Sequence, residues 1–294
     1  MNDYVLCVDS CCDLPDGLAK EFGLEVLPLS VSIGGKEYYH YLDEREISIK
    51  EFYRMLREHK LPRTSQINPE GFISAFESIL KEGKDILSVS LSSELSGTFQ
   101  SALIAREELA ERYPGRKIIV IDSKCASMGI GLLLAYAAGM KSEGAPLEET
   151  AAWIEKNKLK VCHLFTVGDL NHLKRGGRLS SSKAFLGTLL NVKPLLHVNN
   201  DGKLVQTQST RGRCRVLAKM VDRMEKTIVQ PERQFIYISH GDCWEDAEKL
   251  KRMVSERLPV KDIIVNYIGP IIGSHSGPDT LALFYLGNDR EVPY

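Results

Sequence analysis

The chain has 294 residues, 43% of them hydrophobic, and a formal net charge of −1 at pH 7, the make-up of a globular protein long enough for two domains. A near-neutral charge removes the electrostatic footprint of a general nucleic-acid binder, and no apolar run approaches the roughly 20 residues that cross a bilayer. Seven cysteines, an odd number without any CxxC pair, argue against a disulfide framework or a paired-ligand zinc site and for reduced, structural thiols.

The opening residues enter a strand directly, with no basic stretch followed by a long apolar segment, so a cytoplasmic protein is expected. Residues 5–8 are a short apolar strand ending at Asp9-Ser10. Residues 14–22 read as a helix with Asp13 as its cap and Pro15 in its first turn. Residues 26–33 form one extended run that stops at Gly34-Gly35. Residues 48–58 are helical with Phe52, Met55 and Leu56 on one face, and residues 69–80 place Phe72, Ala75, Phe76, Ile79 and Leu80 at helical spacing. Strand 86–89 leads into helix 98–112. Strand 117–121, ending in Asp122-Ser123, leads into the apolar helix 129–142. This repetition predicts a mostly parallel sheet with helices on its faces. Ligands of such sheets lie beyond the carboxyl ends of the strands, where Asp9-Ser10, residues 90–98 and Asp122-Ser123 all fall.

Gly144-Ala145-Pro146 breaks the chain before a helix over 147–156, and the pattern then changes. A strand over 161–167 precedes a short helix within 169–178 that Gly176-Gly177 stops. An apolar segment, 184–190, leads to an extended run, 192–198, and Asn200-Asp201-Gly202 turns it into a hairpin with 204–207. Helix 215–227, strand 234–239, helix 244–258 and strand 263–267 follow. A Gly- and Pro-dense loop, 269–278, and an apolar strand, 280–286, close the chain. The expected fold is α/β in two domains: a mostly parallel sheet with flanking helices over 1–158, and an α/β domain with a mixed sheet over 159–294.

Residues 90–98 carry the densest chemistry. Ser92, Ser93, Ser96 and Thr98 crowd a strand-to-helix turn together with Gly97. A helix start leaves unpaired N–H groups and carries partial positive charge, which suits a carboxylate or phosphate; a serine that merely caps the helix is the plain alternative. Thr64-Ser65-Gln66 reads equally as a turn that caps the next helix through Asn68 or as a second hydroxyl donor to the same crevice. Lys174, Arg175 and Arg178 surround Gly176-Gly177, either as a solvated basic loop or as a clamp for an anion. Arg211, Arg213 and Arg215 form a second basic cluster, either a nucleic-acid contact, which the net charge does not support, or a docking surface for an acidic protein partner. His275 sits at the centre of the 269–278 loop, whose glycines suggest close approach of a ligand. The sequence contains no GxxxxGK(S/T), no GxGxxG after the first strand, no GxSxG and no HExxH. An enzyme built from these residues would be a hydrolase or transferase using Ser96 as nucleophile, with His275 or His240 as base.

Taken in order, these motifs resemble the DegV family of bacterial lipid-binding proteins, close to the fatty-acid-binding subunits of fatty acid kinase. The resemblance runs nearly end to end: Asp9-Ser10-Cys11-Cys12-Asp13-Leu14-Pro15, Thr64-Ser65-Gln66, Leu95-Ser96-Gly97-Thr98, Asp122-Ser123, residues 169–178, Phe185-Leu186-Gly187, Lys193-Pro194, Arg211-Gly212-Arg213 and residues 272–278. The double cysteine departs mildly from the small or hydroxyl residues usual in the family. The resemblance implies two α/β domains with a long-chain fatty acid buried between them. It implies a carboxylate site at Thr64, Ser96 and Gly97, with His275 in the head-group network and Arg178 as a further ligand-binding residue. It implies docking of a kinase catalytic subunit at Arg211 and Arg213, with acyl phosphate formation for phospholipid synthesis by that separate subunit. No catalytic residue, metal, cofactor, nucleic acid or stable membrane insertion is expected of this chain. A buried acyl tail needs apolar side chains from both domains, and residues 185–190 are the expected tail contacts.

Overall fold

The computed structural model describes residues 3–179 and 191–291, so the expected tail segment 185–190 lies outside the described residues. In chain order the elements are β1 (Tyr4–Asp9), α1 (Asp16–Glu21), β2 (Leu24–Leu27), β3 (Ser30–Ile33), β4 (Lys36–Tyr39), α2 (Ile49–Arg57), β5 (Arg63–Ser65), α3 (Pro69–Lys81), β6 (Asp85–Ser90), α4 (Thr98–Arg112), β7 (Ile118–Asp122), α5 (Met128–Ser142) and α6 (Leu147–Asn157). They continue with β8 (Val161–Thr166), α7 (Asn171–Arg175), β9 (Val192–Val198), β10 (Leu204–Arg211), α8 (Arg213–Thr227), β11 (Phe235–His240), α9 (Trp244–Arg257), β12 (Asp262–Tyr267), α10 (Pro270–Ser276) and β13 (Leu281–Leu286).

Three sheets result. The first, in the order β2-β1-β6-β7, is parallel throughout, with Val8 opposite Val26 and Val89 opposite Ile121. The second, β4-β3-β5, is a small antiparallel sheet. The third, in the order β10-β9-β8-β13-β11-β12, is antiparallel except for β11 beside β12. The fold is therefore α/β, with a parallel sheet followed by a mixed one.

Helix α5 explains how the sheets are joined. Met128, Ile130, Leu132, Leu133, Leu134 and Ala137 are buried on all sides of it, and a helix that is apolar all round must be enclosed. It packs with α6 against the parallel sheet and also meets β8, β11 and β13 of the mixed sheet. One hydrophobic core thus runs from Leu6, Leu87 and Phe76 through α5 to Phe165, Tyr237 and Phe284. A second core lies on the opposite face of the mixed sheet, under α8 and α9, around Met220, Met224, Leu250 and Leu283.

Three local expectations are corrected. The extended run over 26–33 is two strands in two sheets. Pro28 lies between them, has no N–H for a ladder and ends β2. Asp13 does not cap α1, whose first turn follows Pro15 without a side-chain cap. Instead Asp13 closes the short turn Ser10–Cys12 in the left-handed region, at φ 51°. The 269–278 loop is largely helical: α10 occupies it, with Pro270 at the first position, where its missing N–H costs nothing. Gly273 inside that helix lies against the Tyr53 and Phe52 rings, where a Cβ would stand 3.0 Å from Phe52 Cε1.

Candidate functional site

The parallel strands deliver their carboxyl ends to one edge, as expected, but the polar side chains there mostly serve the backbone. Asp9 accepts from the N–H groups of Cys11 and Leu91, at 3.1 and 2.7 Å. Ser10 accepts from Leu29 N, and Asp122 from the N–H groups of Ser93 and Lys124. The four hydroxyls of the 90–98 turn do not converge. Ser92 donates to Gly202 O at the tip of the β9–β10 hairpin, 2.9 Å away. Ser93 is exposed and accepts from Lys124 Nζ. Thr98 is fully buried and lies 2.9 Å from Ser96 Oγ.

Ser96 alone of the four lines a cavity of about 160 Å³. Thr64 from β5, Arg178 after α7 and His275 on α10 line the same cavity, so four sequence-distant segments meet there. The Thr64 hydroxyl lies 2.9 Å from His275 Nε2. His275 Nδ1 is buried without a partner. Burial, and next the Arg178 cation, push the His275 pKa down to about 4, so the imidazole is neutral at pH 7. Arg178 is held by Leu95 O and Gly176 O, at 3.1 and 2.6 Å, which ties the 90–98 turn to the end of α7. Ser96 Oγ accepts from Thr98 N at 3.3 Å. The Ncap position of α4 is Gly97, which supplies no side-chain cap. Gly97 does not line the cavity. The Gln66 amide rests where its Cβ would be, with Gln66 Cδ 2.9 Å from that point.

The remaining walls are mostly apolar: Leu91 and Leu95, Phe165 and Phe284 from the mixed sheet, Leu173, Leu204, and Ile271 and Ile272 from α10, with Ser65, Ser276 and Thr280 among them. A polar corner interrupts them. Ser127 donates to Asp13 Oδ2 at 2.6 Å and lies 3.0 Å from Ser239 Oγ. Asp13 Oδ1 accepts from Gly269 N at 3.0 Å. Burial raises the Asp13 carboxyl to about 7 despite these bonds. His163 donates from Nδ1 to Val161 O and accepts at Nε2 from Ala126 N; burial pushes its pKa down to about 3. These polar groups are satisfied by the protein, so this corner needs no ligand atom. Sequence reasoning missed Ser127, His163 and Ser239, which carry no local pattern, and passed over Gln66, which lines the cavity beside Thr64.

The arrangement brings two hydroxyls and a guanidinium to the wall of one largely apolar space. Ser96 is bonded to Thr98 and His275 to Thr64, which is not the nucleophile–base pair of covalent catalysis. His240, the other base considered, is buried beside Tyr267, with Nδ1 accepting from Cys243 N, and does not line the cavity. Arg211 is exposed at the end of β10. Arg213 begins α8 and is turned inward, with Nε 2.8 Å from Asp246 Oδ2. Neither is part of the cavity wall. Among the described residues no cluster of His, Cys, Asp or Glu is placed to hold a metal ion, and no helix is long and apolar enough to cross a membrane.

Comparison with known proteins agrees in sequence and in fold. A DegV domain-containing protein of Clostridium perfringens is 47% identical over 291 residues, covering 99% of this chain and all of that protein. A solved structure from Thermus thermophilus, described as the fatty acid binding of a DegV family protein, superposes with a TM-score of 0.87 at 33% identity, covering 97% of this chain and 100% of that one. DegV of Bacillus subtilis, described as a fatty acid binding protein, gives 0.84 at 28% identity, over 98% and 100% of the two chains. A Ruminococcus gnavus relative described with vaccenic acid gives 0.86 at 25% identity, over 96% and 99%. The family profile described as "Uncharacterised protein, DegV family" matches residues 4–288, and with relatives of this identity and coverage the chain belongs to the DegV family.

Proposed function

We propose that this protein binds a long-chain fatty acid, with the tail in the apolar cavity and the carboxylate accepting from Thr64 and Ser96. The observation that carries the reading is that Thr64, Ser96 and Arg178, from three distant segments, line one cavity whose other walls are largely apolar, joined to the fatty-acid binding described for the Thermus and Bacillus relatives. Arg178 supplies favourable charge, and neutral His275 donates from Nε2 to Thr64, leaving the Thr64 proton for the ligand. Burial contributes about 0.8 kcal/mol per methylene, so a long tail gains on the order of 10 kcal/mol before ordering costs. A carboxylate near a helix N-terminus adds only about 0.3–2 kcal/mol. The tail therefore sets affinity and the hydroxyls set register.

The same proposal extends to what the bound acid is for. The chain presents its carboxylate to a separate ATP-dependent kinase in the cytoplasm and performs no chemistry itself, in line with the lack of a phosphate-binding loop in its sequence. Arg211, exposed beside the hairpin, is the better placed of the two proposed docking residues; Arg213 is engaged by Asp246. Native mass spectrometry of purified protein tests the binding step, with one fatty acid per chain expected. Absence of any co-purifying lipid together with no binding of added oleate overturns it.

A further inference from the structure

We propose that Gln66 is the positioning residue of this grip: lying across Gly97 and hydrogen bonded to Ser101, it sets the spacing between the Thr64 and Ser96 hydroxyls. The proposal rests on the fatty-acid reading above. Thr64 is carried by β5 of the small antiparallel sheet, whereas Ser96 belongs to the turn before α4, at the end of the parallel sheet. No ladder joins these two sheets, so the distance between the hydroxyls must be fixed by side chains.

Each hydroxyl is already held from behind, Thr64 by His275 on α10 and Ser96 by Thr98. The remaining freedom is movement of one arm against the other. Gln66, two residues beyond Thr64, crosses that gap. Its Nε2 donates to Ser101 Oγ at 3.2 Å, and Ser101 is a buried residue of α4. Its amide fills the volume of a Cβ at position 97, with Cδ and Nε2 both 2.9 Å from that point. Residue 97 can thus carry no side chain while Gln66 stays seated. This gives the glycine a purpose that a Ncap role alone does not, since its φ of −75° is open to any residue. Hydroxyl hydrogen bonds to a carboxylate hold over about 2.5–3.0 Å, and binding constellations must be kept within about 0.5 Å to function. A strut two residues from Thr64 that rests on the residue next to Ser96 meets that need.

The test compares oleate with oleyl alcohol, which share a tail and differ in the head group, on the delipidated full-length protein. Ser101→Ala removes the partner of Gln66 without altering the cavity wall, and Gly97→Ala unseats the amide. Wild-type protein is expected to prefer oleate. Both variants should cut that preference about 3–10-fold, the range of one neutral hydrogen bond, while the affinity for the alcohol stays within about twofold. In a Thr64→Ala/Ser96→Ala background, Ser101→Ala should change nothing further, an outcome that a merely structural role would not give. Should Gly97→Ala fail to fold, Ser101→Ala decides. Equal loss for acid and alcohol, or an unchanged preference, overturns the role of Gln66 alone. Failure of the wild type to bind either lipid overturns the fatty-acid reading and this inference with it.

Discussion

In the proposed carboxylate site, Thr64 and Ser96 each have an oxygen already in contact with a protein partner. Ser96 Oγ accepts from Thr98 N, and Thr64 Oγ1 lies 2.9 Å from His275 Nε2; with that nitrogen as donor, the Thr64 proton is free for a ligand. Among the described residues His275 Nδ1 has no partner. Thr64→Val keeps the shape of the residue and removes the hydroxyl, stranding both ring nitrogens. Leaving a buried polar group unsatisfied costs about 1–3 kcal/mol, so the variant should lower the urea stability by that amount and the oleate affinity about tenfold. Thr64→Ser should restore both. Unchanged oleate affinity in Thr64→Val would remove Thr64 from the binding site.

Helix α5 shows how a single element can hold two sheets at contact distance. Gly129 lets it approach β8 closely: a Cβ there would stand 2.8 Å from the His163 ring, at Cε1. Gly139, near the other end of the same helix, has nothing within 4 Å of its would-be Cβ. Gly129→Ala should therefore destabilise the protein by roughly 1–3 kcal/mol through overpacking. Gly139→Ala should stabilise it by about 0.4–1 kcal/mol through the unfolded chain. Urea unfolding of the pair measures both, and a like sign for the two would contradict the close-packed wall. Elements with one apolar face, such as α2 and α3, were legible in the sequence because their spacing alone defines them. Helix α10 was not: a segment of Gly, Pro and Ser reads as a loop, and its helical form depends on Tyr53 and Phe52 packing on Gly273. Thr64, Ser96, Arg178 and His275, which local hydroxyl, Gly and Arg patterns single out, line one cavity. The polar corner was not legible, because Asp13 reaches Ser127 and Gly269 only once two sheets have closed around it.

At the scale of the molecule, the two sheet systems meet through a set of hydrogen bonds from buried and half-buried polar groups. Asp13 takes Gly269 N, Asn266 donates to Asp13 O, Tyr53 to Ile268 O, and Ser92 to Gly202 O. Titratable groups are buried in and around this joint, and their signs differ. Burial pushes His40, His240 and His275 down to about 4 and His163 to about 3, against 6.5 unperturbed. Between those values the unfolded chain binds more protons than the folded one, so each histidine makes stability fall as pH drops below about 6.5. Asp13 acts oppositely. Raised by burial from 3.8 to about 7, it binds its proton more readily in the folded state and favours folding as pH falls through that window, and Asp9 is shifted in the same direction. Each group contributes up to about 1.4 kcal/mol per pH unit. His172 and His197 are lowered by burial as well, and six lowered histidines against two raised aspartates leave a net loss. Delipidated protein should therefore have a lower urea midpoint at pH 5 than at pH 7, and replacing Asp13 with Asn, which cannot ionise, should steepen that fall. A midpoint that rises on acidification would mean that the buried carboxyls, rather than the imidazoles, govern how the two sheet systems are held together.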